Sequence, residues 1–227
     1  MHFIVVGAGN VGSLLVDIAS RSRNDVVVVE HDVTRANDVA NEYDCLVLNE
    51  DATREETLKE AGAARADALI STLELDATNL FVCLLATELG IPTVVSVLHQ
   101  PEHRELFRKM GVNAVKSPDQ LAAESLYRTA RQPAIIDYMP VEDDAEVFEI
   151  DVSDAAPIAG QTLEEARSGG LIPGDVLVVA VVPEDGSGPR IARPTTEIGA
   201  GDRLTVYSGR GTDPAVTDLF GFFDDYR

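Results

Sequence analysis

Short, nearly continuous apolar runs recur along the first half of the chain, separated by stretches of helical period. The run HFIVV that follows Met1, Asp25 to Glu30 (DVVVVE), Cys45 to Leu48, Ala68 to Thr72, Thr93 to Leu98 and Ala114 to Lys116 read as strands. Between them, Val11 to Ser20, Val33 to Tyr43, Arg54 to Ala61, Asp76 to Leu89 and Pro101 to Met110 read as helices, and Gly62, Gly90 and Gly111 supply stops for the last three. Strands that are apolar at successive positions are buried on both faces. Their alternation with helices predicts βαβ units and a parallel sheet. Pro118 to Arg131 is a further helix with a modest apolar stripe (Leu121, Ala122, Ser125, Leu126, Thr129). It stops short of Pro133, because the residue before a proline avoids helical angles. From Ile135 the pattern changes. Val147 to Val152, Asp175 to Val182 and Asp202 to Ser208 read as strands, Thr162 to Arg167 as a short helix, and Asp213 to Phe223 as a helical tail.

Composition changes this picture little. Acidic residues number 39 against 18 basic ones, for a net charge of −21. Such a surface repels nucleic acid and anionic lipid. A halophilic, high-salt cytoplasm accounts for it, since at 1 M salt charges are screened over about 3 Å; the acidity then reports on solvent. No apolar run reaches the roughly 18 residues of a membrane span, so no direct membrane insertion is expected. Met1 leads straight into the first strand without a basic region or cleavage site, so the expected location is the cytoplasm. Cys45 and Cys83, in apolar surroundings, are expected to be buried free thiols.

The first strand runs directly into GAGNVG, Gly7 to Gly12, which opens the first helix. Strand, glycines and helix in that order form a pyrophosphate-binding turn. Gly7 permits the tight turn, Gly9 lets backbone approach the pyrophosphate, and Gly12 lets the helix pack closely on the strand. Asn10 and Val11 lie between them at the helix N-terminus, where free N–H groups favour an anion. Glu30 ends the second strand about 18 residues beyond Gly12, where an acid accepts hydrogen bonds from ribose hydroxyls; Asp32 is the weaker candidate. A carboxylate repels a 2′-phosphate, and His31 stands where NADP sites often carry arginine. The expected ligand has a free adenosine ribose: NAD(H), ATP, ADP or AMP. The fold class is therefore α/β, a Rossmann-type doubly wound parallel sheet over residues 1–133, including the crossover helix 118–131, followed by a small α+β domain over 134–227.

Further segments carry a resemblance. NEDAT (Asn49 to Thr53), STLELDATNL (Ser71 to Leu80), QPEH (Gln100 to His103) and MGVNAVKSP (Met110 to Pro118), with GDVLVVAVV, Pro194 and GDRLTVYSG later in the chain, are similar to the TrkA-type potassium-transport regulatory family. Its members carry an RCK or KTN nucleotide-binding domain and an RCK C-terminal domain. The resemblance covers nearly the whole chain. It implies that Asp51, Ala52 and Thr53 border adenine and ribose and that Thr72, Asp76 and Asn79 belong to the site. A site at the carboxyl edge of the sheet is expected to transmit occupancy through the loops after Gly9, Glu30, Asp51 and Leu73. Two positions depart from the pattern. Many relatives carry arginine late in the fifth strand, where Val97 stands; some ATP-binding relatives place arginine after the second glycine, where Asn10 stands. A triphosphate wants cationic donors, so NAD(H) is the expected cofactor and ADP or ATP the alternative.

The resemblance implies a regulatory subunit peripheral to the membrane through a potassium transporter subunit, paired as a homodimer or assembled into a larger ring. An oxidoreductase also needs an acid–base residue beside its nicotinamide, and neither HExxH, CxxC nor GxSxG occurs. His99 and His103 flank Pro101 and read as exposed loop residues. An NAD-dependent oxidoreductase, and a nucleotide sensor for another cation transporter or exchanger, remain the alternatives.

Overall fold

The computed structural model describes residues 1–132, 134–142 and 144–221. It divides into two compact units, Met1–Glu124 and Ser125–Arg227. Pro133, where the sequence suggests a boundary, and Phe222 and Phe223 of the expected tail helix lie outside the described residues.

The first unit alternates strand and helix: β1 (His2–Val6), α1 (Asn10–Arg21), β2 (Asp25–Val29), α2 (Val33–Glu42), β3 (Leu46–Leu48), α3 (Glu55–Glu60), β4 (Ala68–Ser71), α4 (Asp76–Glu88), β5 (Thr93–Val97), α5 (Arg104–Lys109) and β6 (Ala114–Lys116), with α6 (Pro118–Arg131) following. The six strands form one parallel sheet in the order β3-β2-β1-β4-β5-β6. Alternate side chains serve two cores, as the period of a strand requires. Ile4, Val6, Val27, Val29 and Leu69 pack with Val82, Cys83 and Phe107. Val5, Val26 and Val28 pack with Val16 of α1 and Val39 of α2. That double burial is why these strands read as unbroken apolar runs. Strands β2, β4 and β5 each end one residue before the pattern suggests. Glu30, Thr72 and Leu98 leave the ladder at its carboxyl edge. The expected helix over Pro101 to Met110 opens as a 3₁₀ turn, Pro101–His103, before α5.

The strand order reverses at β1, which leaves a crevice outside the carboxyl ends of β1 and β4. α1 enters that crevice very closely. A Cβ on Gly12 would lie 2.0 Å from the Gly7 carbonyl oxygen and 2.8 Å from Thr72 Oγ1. Gly7 has φ +90°, and its amide donates to the Val29 carbonyl at 2.9 Å. The Thr72 hydroxyl, 3.0 Å from the carbonyls of both Val6 and Gly7, ties the turn to β4.

The second unit adds β7 (Ile135–Glu142), β8 (Ala145–Asp151), β9 (Gln161–Thr162), α7 (Leu163–Ser168), β10 (Val176–Val182), β11 (Arg190–Ile191), β12 (Glu197–Ile198), β13 (Arg203–Ser208) and α8 (Pro214–Thr217). Strands β11-β10-β13-β8-β7 make an antiparallel sheet and β12-β9 a small ribbon. Phe148, Ile150, Ile158, Leu204, Val206 and Phe220 form its core. Strand β7 escapes the pattern because its register shifts at Ile135/Asp137 and again at Pro140/Glu142. It is an edge strand, where proline is tolerated.

The Gly12 contact makes the first prediction. Gly12→Ala puts a methyl carbon into backbone that cannot yield without moving α1. It should cost at least about 1–3 kcal/mol, the usual range for overpacking, read as a lowered urea midpoint. An unchanged midpoint would show that α1 is not held by this approach.

Candidate functional site

A cleft of about 1040 Å³ opens at the carboxyl edge of the parallel sheet. The glycine loop forms one wall, the ends of β2 and β3 another, and the loop after β4 a third. Gly7, Gly9, Asn10, Val11, Glu30, His31, Asp51, Ala52, Thr53, Thr72 and Leu73 all line it. Gly12, Asp76 and Asn79 stand behind the lining.

The three glycines differ in kind. Gly7 needs its positive φ and Gly12 lacks room for a side chain. Gly9 has φ −71°, which any L-residue adopts, and a Cβ there would have only Arg35 Nη1, at 3.9 Å, within 4 Å among the described residues. Gly9 is also the N-cap of the 12-residue helix α1; it offers no side-chain cap, and the first turn carries no acidic residue. The orphan N–H groups of that turn are thus left for an anion.

Glu30 is 3% exposed. One carboxylate oxygen accepts from the Ala8 amide at 2.6 Å, the other from the Asp32 amide at 2.8 Å, with His31 Nδ1 at 3.1 Å. The residue expected to receive ribose therefore also clips the glycine loop to the end of β2. Asp32, the weaker ribose candidate, caps α2 by accepting from the amides of Arg35 and Thr34, each at 2.9 Å. The Arg35 amide, then that of Thr34, holds its carboxyl below the ordinary value. Asp51 is held low by the Thr53 amide and then the Thr53 hydroxyl, at 2.9 and 2.7 Å. Asn49 bridges the carbonyls of Glu30 and His31.

Asn79 is fully buried and shapes the wall after β4. Its Oδ1 accepts from Ser71 Oγ and the Leu73 amide, and its Nδ2 donates to the Leu73 carbonyl at 2.8 Å. Asp76 accepts from the amides of His99 and Gln100 and from His103 Nδ1 at 2.9 Å. Burial pushes its carboxyl up, but the His99 amide, the His103 ring and the Gln100 amide outweigh that and hold it low. His99 is exposed in the turn after β5, as expected, and His103 is half-buried in the 3₁₀ turn, but both are bonded. They tie the turn after β5 to α4, and His99 lines the cleft. His2 lies inside β1, bonded through Nδ1 to Asp25 at 2.7 Å and through Nε2 to the Ala61 carbonyl at 3.0 Å. Both cysteines are free. Burial pushes the Cys83 thiol to about 11, whereas Cys45 is only half-buried, a correction to the expected burial of both.

Arg35 is the cleft residue that sequence reading missed. It sits in the first turn of α2 and carries the one guanidinium in the described lining, among five carboxylates: Glu30, Asp32, Glu50, Asp51 and Glu74. Its place over Gly9 depends on the packing of α2 beside α1, and no spacing in the sequence encodes that.

Residues 3–118 match the TrkA-N domain family. The Trk system potassium uptake protein TrkA homolog of Methanothermobacter thermautotrophicus is 28% identical over 187 residues, covering 82% of this chain and 84% of that protein. Among solved structures, the GsuK channel bound to NAD superimposes with a TM-score of 0.66 at 20% identity, over 99% of this chain and 40% of that one. GsuK bound to ADP gives a TM-score of 0.53 at 23% identity, over 58% of this chain and 35% of that one. At these identities the two structures speak to the fold alone.

Asp76 carries a pH prediction. A carboxyl whose folded value is depressed contributes stability that is complete above its unfolded value, about 3.9, and is lost as pH falls through the folded one. Asp76→Asn turns an amide N–H₂ or a lone carbonyl toward three donors and should cost about 1–3 kcal/mol at neutral pH. In urea melts the gap to wild type should narrow below about pH 4. A gap that stays constant into acid would mean the Asp76 charge is not what holds the two turns together.

Proposed function

The chain belongs to the TrkA-N domain family, and from that premise we propose that it is a nucleotide-binding regulatory subunit of a potassium-uptake system. The observation that carries the nucleotide reading is Gly9. Neither its backbone angles nor its packing among the described residues demands glycine there. An anion drawn down onto the first turn of α1 does demand it, because a side chain would fill the space of the ligand.

The loop from Gly7 to Gly12 and the α1 N-terminus hold a diphosphate. Glu30, already placed by Ala8 and Asp32, keeps lone pairs for ribose hydroxyls. Asp51, Ala52 and Thr53 border the adenosine, and Thr72 and Leu73 close the opposite wall. Asp76 and Asn79 act from behind, by fixing the turns that carry Leu73 and His99. The ligand is NAD(H), with ADP or ATP as the alternative; NAD-bound and ADP-bound GsuK, which share the fold, support an adenine dinucleotide or nucleotide in such a cleft. NAD(H), when bound, serves here as a signal and not as a hydride carrier, so the protein is a regulator and not an enzyme. The partner is the membrane subunit of a potassium transporter, as the name of the archaeal relative suggests. The protein acts from the cytoplasm as a homodimer or larger ring, and occupancy shifts it between arrangements by its differential affinity for them.

Titration calorimetry with NADH and NADPH tests the reading. Wild type should bind NADH more tightly than NADPH, since Glu30 faces the 2′ position. Gly9→Val should abolish binding while leaving the thermal melt near wild type. Glu30→Ala should weaken NADH by about 1.5–3 kcal/mol. Retained binding in Gly9→Val, or NADPH bound as tightly as NADH, would overturn it.

A further inference from the structure

Resting on the nucleotide reading above, we propose that Arg35 is the phosphate-binding side chain of the cleft, and that Glu74 competes with the ligand for it. Arg35 Nη1 stands 3.9 Å from the Cβ position of Gly9, which puts the guanidinium beside the residue that caps the α1 N-terminus. Two sources of positive potential, a helix N-terminus and a guanidinium, thus converge on one spot. Arginine suits that spot because its planar fork binds phosphate oxygens in pairs.

The side chain is free to do this. The Arg35 amide is pinned to Asp32, which fixes the backbone, while the side chain is about half exposed. Among the described residues its partner is Glu74 Oε1 at 3.6 Å, a carboxylate 84% exposed in the loop after β4. At that distance and exposure the pair is a loose ion pair, easily exchanged. Among the described residues, Glu74 also differs from the other carboxylates of the lining. Glu30, Asp32, Glu50 and Asp51 each accept a hydrogen bond from within the chain, Glu50 from the Thr57 hydroxyl. Glu74 instead faces Arg35. A diphosphate that takes the guanidinium therefore displaces Glu74 and frees the loop after β4, whose root at Leu73 is clamped by Asn79. Ligand binding is in this way coupled to a break between α2 and the wall opposite.

Removing Arg35 weakens nucleotide binding, and removing the charge of Glu74 strengthens it. The experiment titrates NADH and adenosine, which lacks phosphate, into the intact wild-type chain and into Arg35→Gln, Arg35→Lys and Glu74→Gln, with thermal melts as controls for folding. Arg35→Gln should lose about tenfold or more for NADH and leave adenosine unchanged. Arg35→Lys should fall between. Glu74→Gln should tighten NADH, more in low salt than in high, because an exposed pair is screened. Four outcomes overturn the proposal: NADH affinity unchanged in Arg35→Gln, equal losses for NADH and adenosine, weaker NADH binding in Glu74→Gln, or a loss confined to NADPH in a parallel titration, which would put the guanidinium at the 2′-phosphate instead. Wild type that binds neither NADH nor adenosine would overturn the nucleotide reading itself, and the proposal with it.

Discussion

The approach of Gly12 to the Gly7 carbonyl sets where α1 begins, and the cleft is built outward from it. A Cβ at position 12 would stand 2.0 Å from that oxygen, so the helix axis lies as near the sheet as backbone allows. That proximity delivers the α1 N-terminus to the carboxyl edge of β1, at the point where the strand order reverses. Thr72 then reaches the same carbonyl from β4, and Glu30 grips the Ala8 amide from the end of β2. Three strands are thereby locked onto one turn, and the amides of α1 inherit a fixed orientation. Pre-placed donors of this kind need no reorganisation when an anion arrives, which is where their advantage over solvent lies.

The parts of this arrangement that were legible in the sequence share a cause. A parallel strand covered on both faces must be apolar at every position, so β1, β2, β4 and β5 announce themselves. The glycines are legible because a strand, a turn and a helix in direct succession leave few other reasons for them. Legibility fails where position depends on a neighbour. Strands β9, β11 and β12 are two residues long and hold no period. Strand β7 breaks its alternation at two bulges that only pairing with β8 defines. Arg35 looks like any exposed helix residue until α2 is laid beside α1.

Asp76 and Asn79 illustrate a different limit. The sequence resemblance places them with the site; neither is in the described lining of the cleft, and their side chains bond mainly to the backbone of turns that are. Asn79 satisfies both Leu73 groups and Asp76 satisfies His99 and Gln100. A motif reports that a residue type is needed at a position. Whether it touches ligand or holds the loop that does is a question of which donors face it. Burial decides here, because a buried carboxylate or amide must have its hydrogen bonds met from within.

The same reasoning bears on the charge of the molecule and that of the ligand proposed for it. A chain at −21 with five carboxylates around its cleft repels a diphosphate at long range. Net charge acts through long-range potential, which salt removes beyond a Debye length of about 8 Å at physiological ionic strength and about 3 Å at 1 M. What survives is contact electrostatics. Three of the five carboxylates, Glu30, Asp32 and Asp51, are satisfied by backbone amides, and their charge is compensated within hydrogen-bond distance. In the reading proposed above, the α1 N-terminus and Arg35 then dominate the few ångströms that a phosphate would occupy. An acidic surface does not exclude an anion site, because the first is screened at distances where the second still acts.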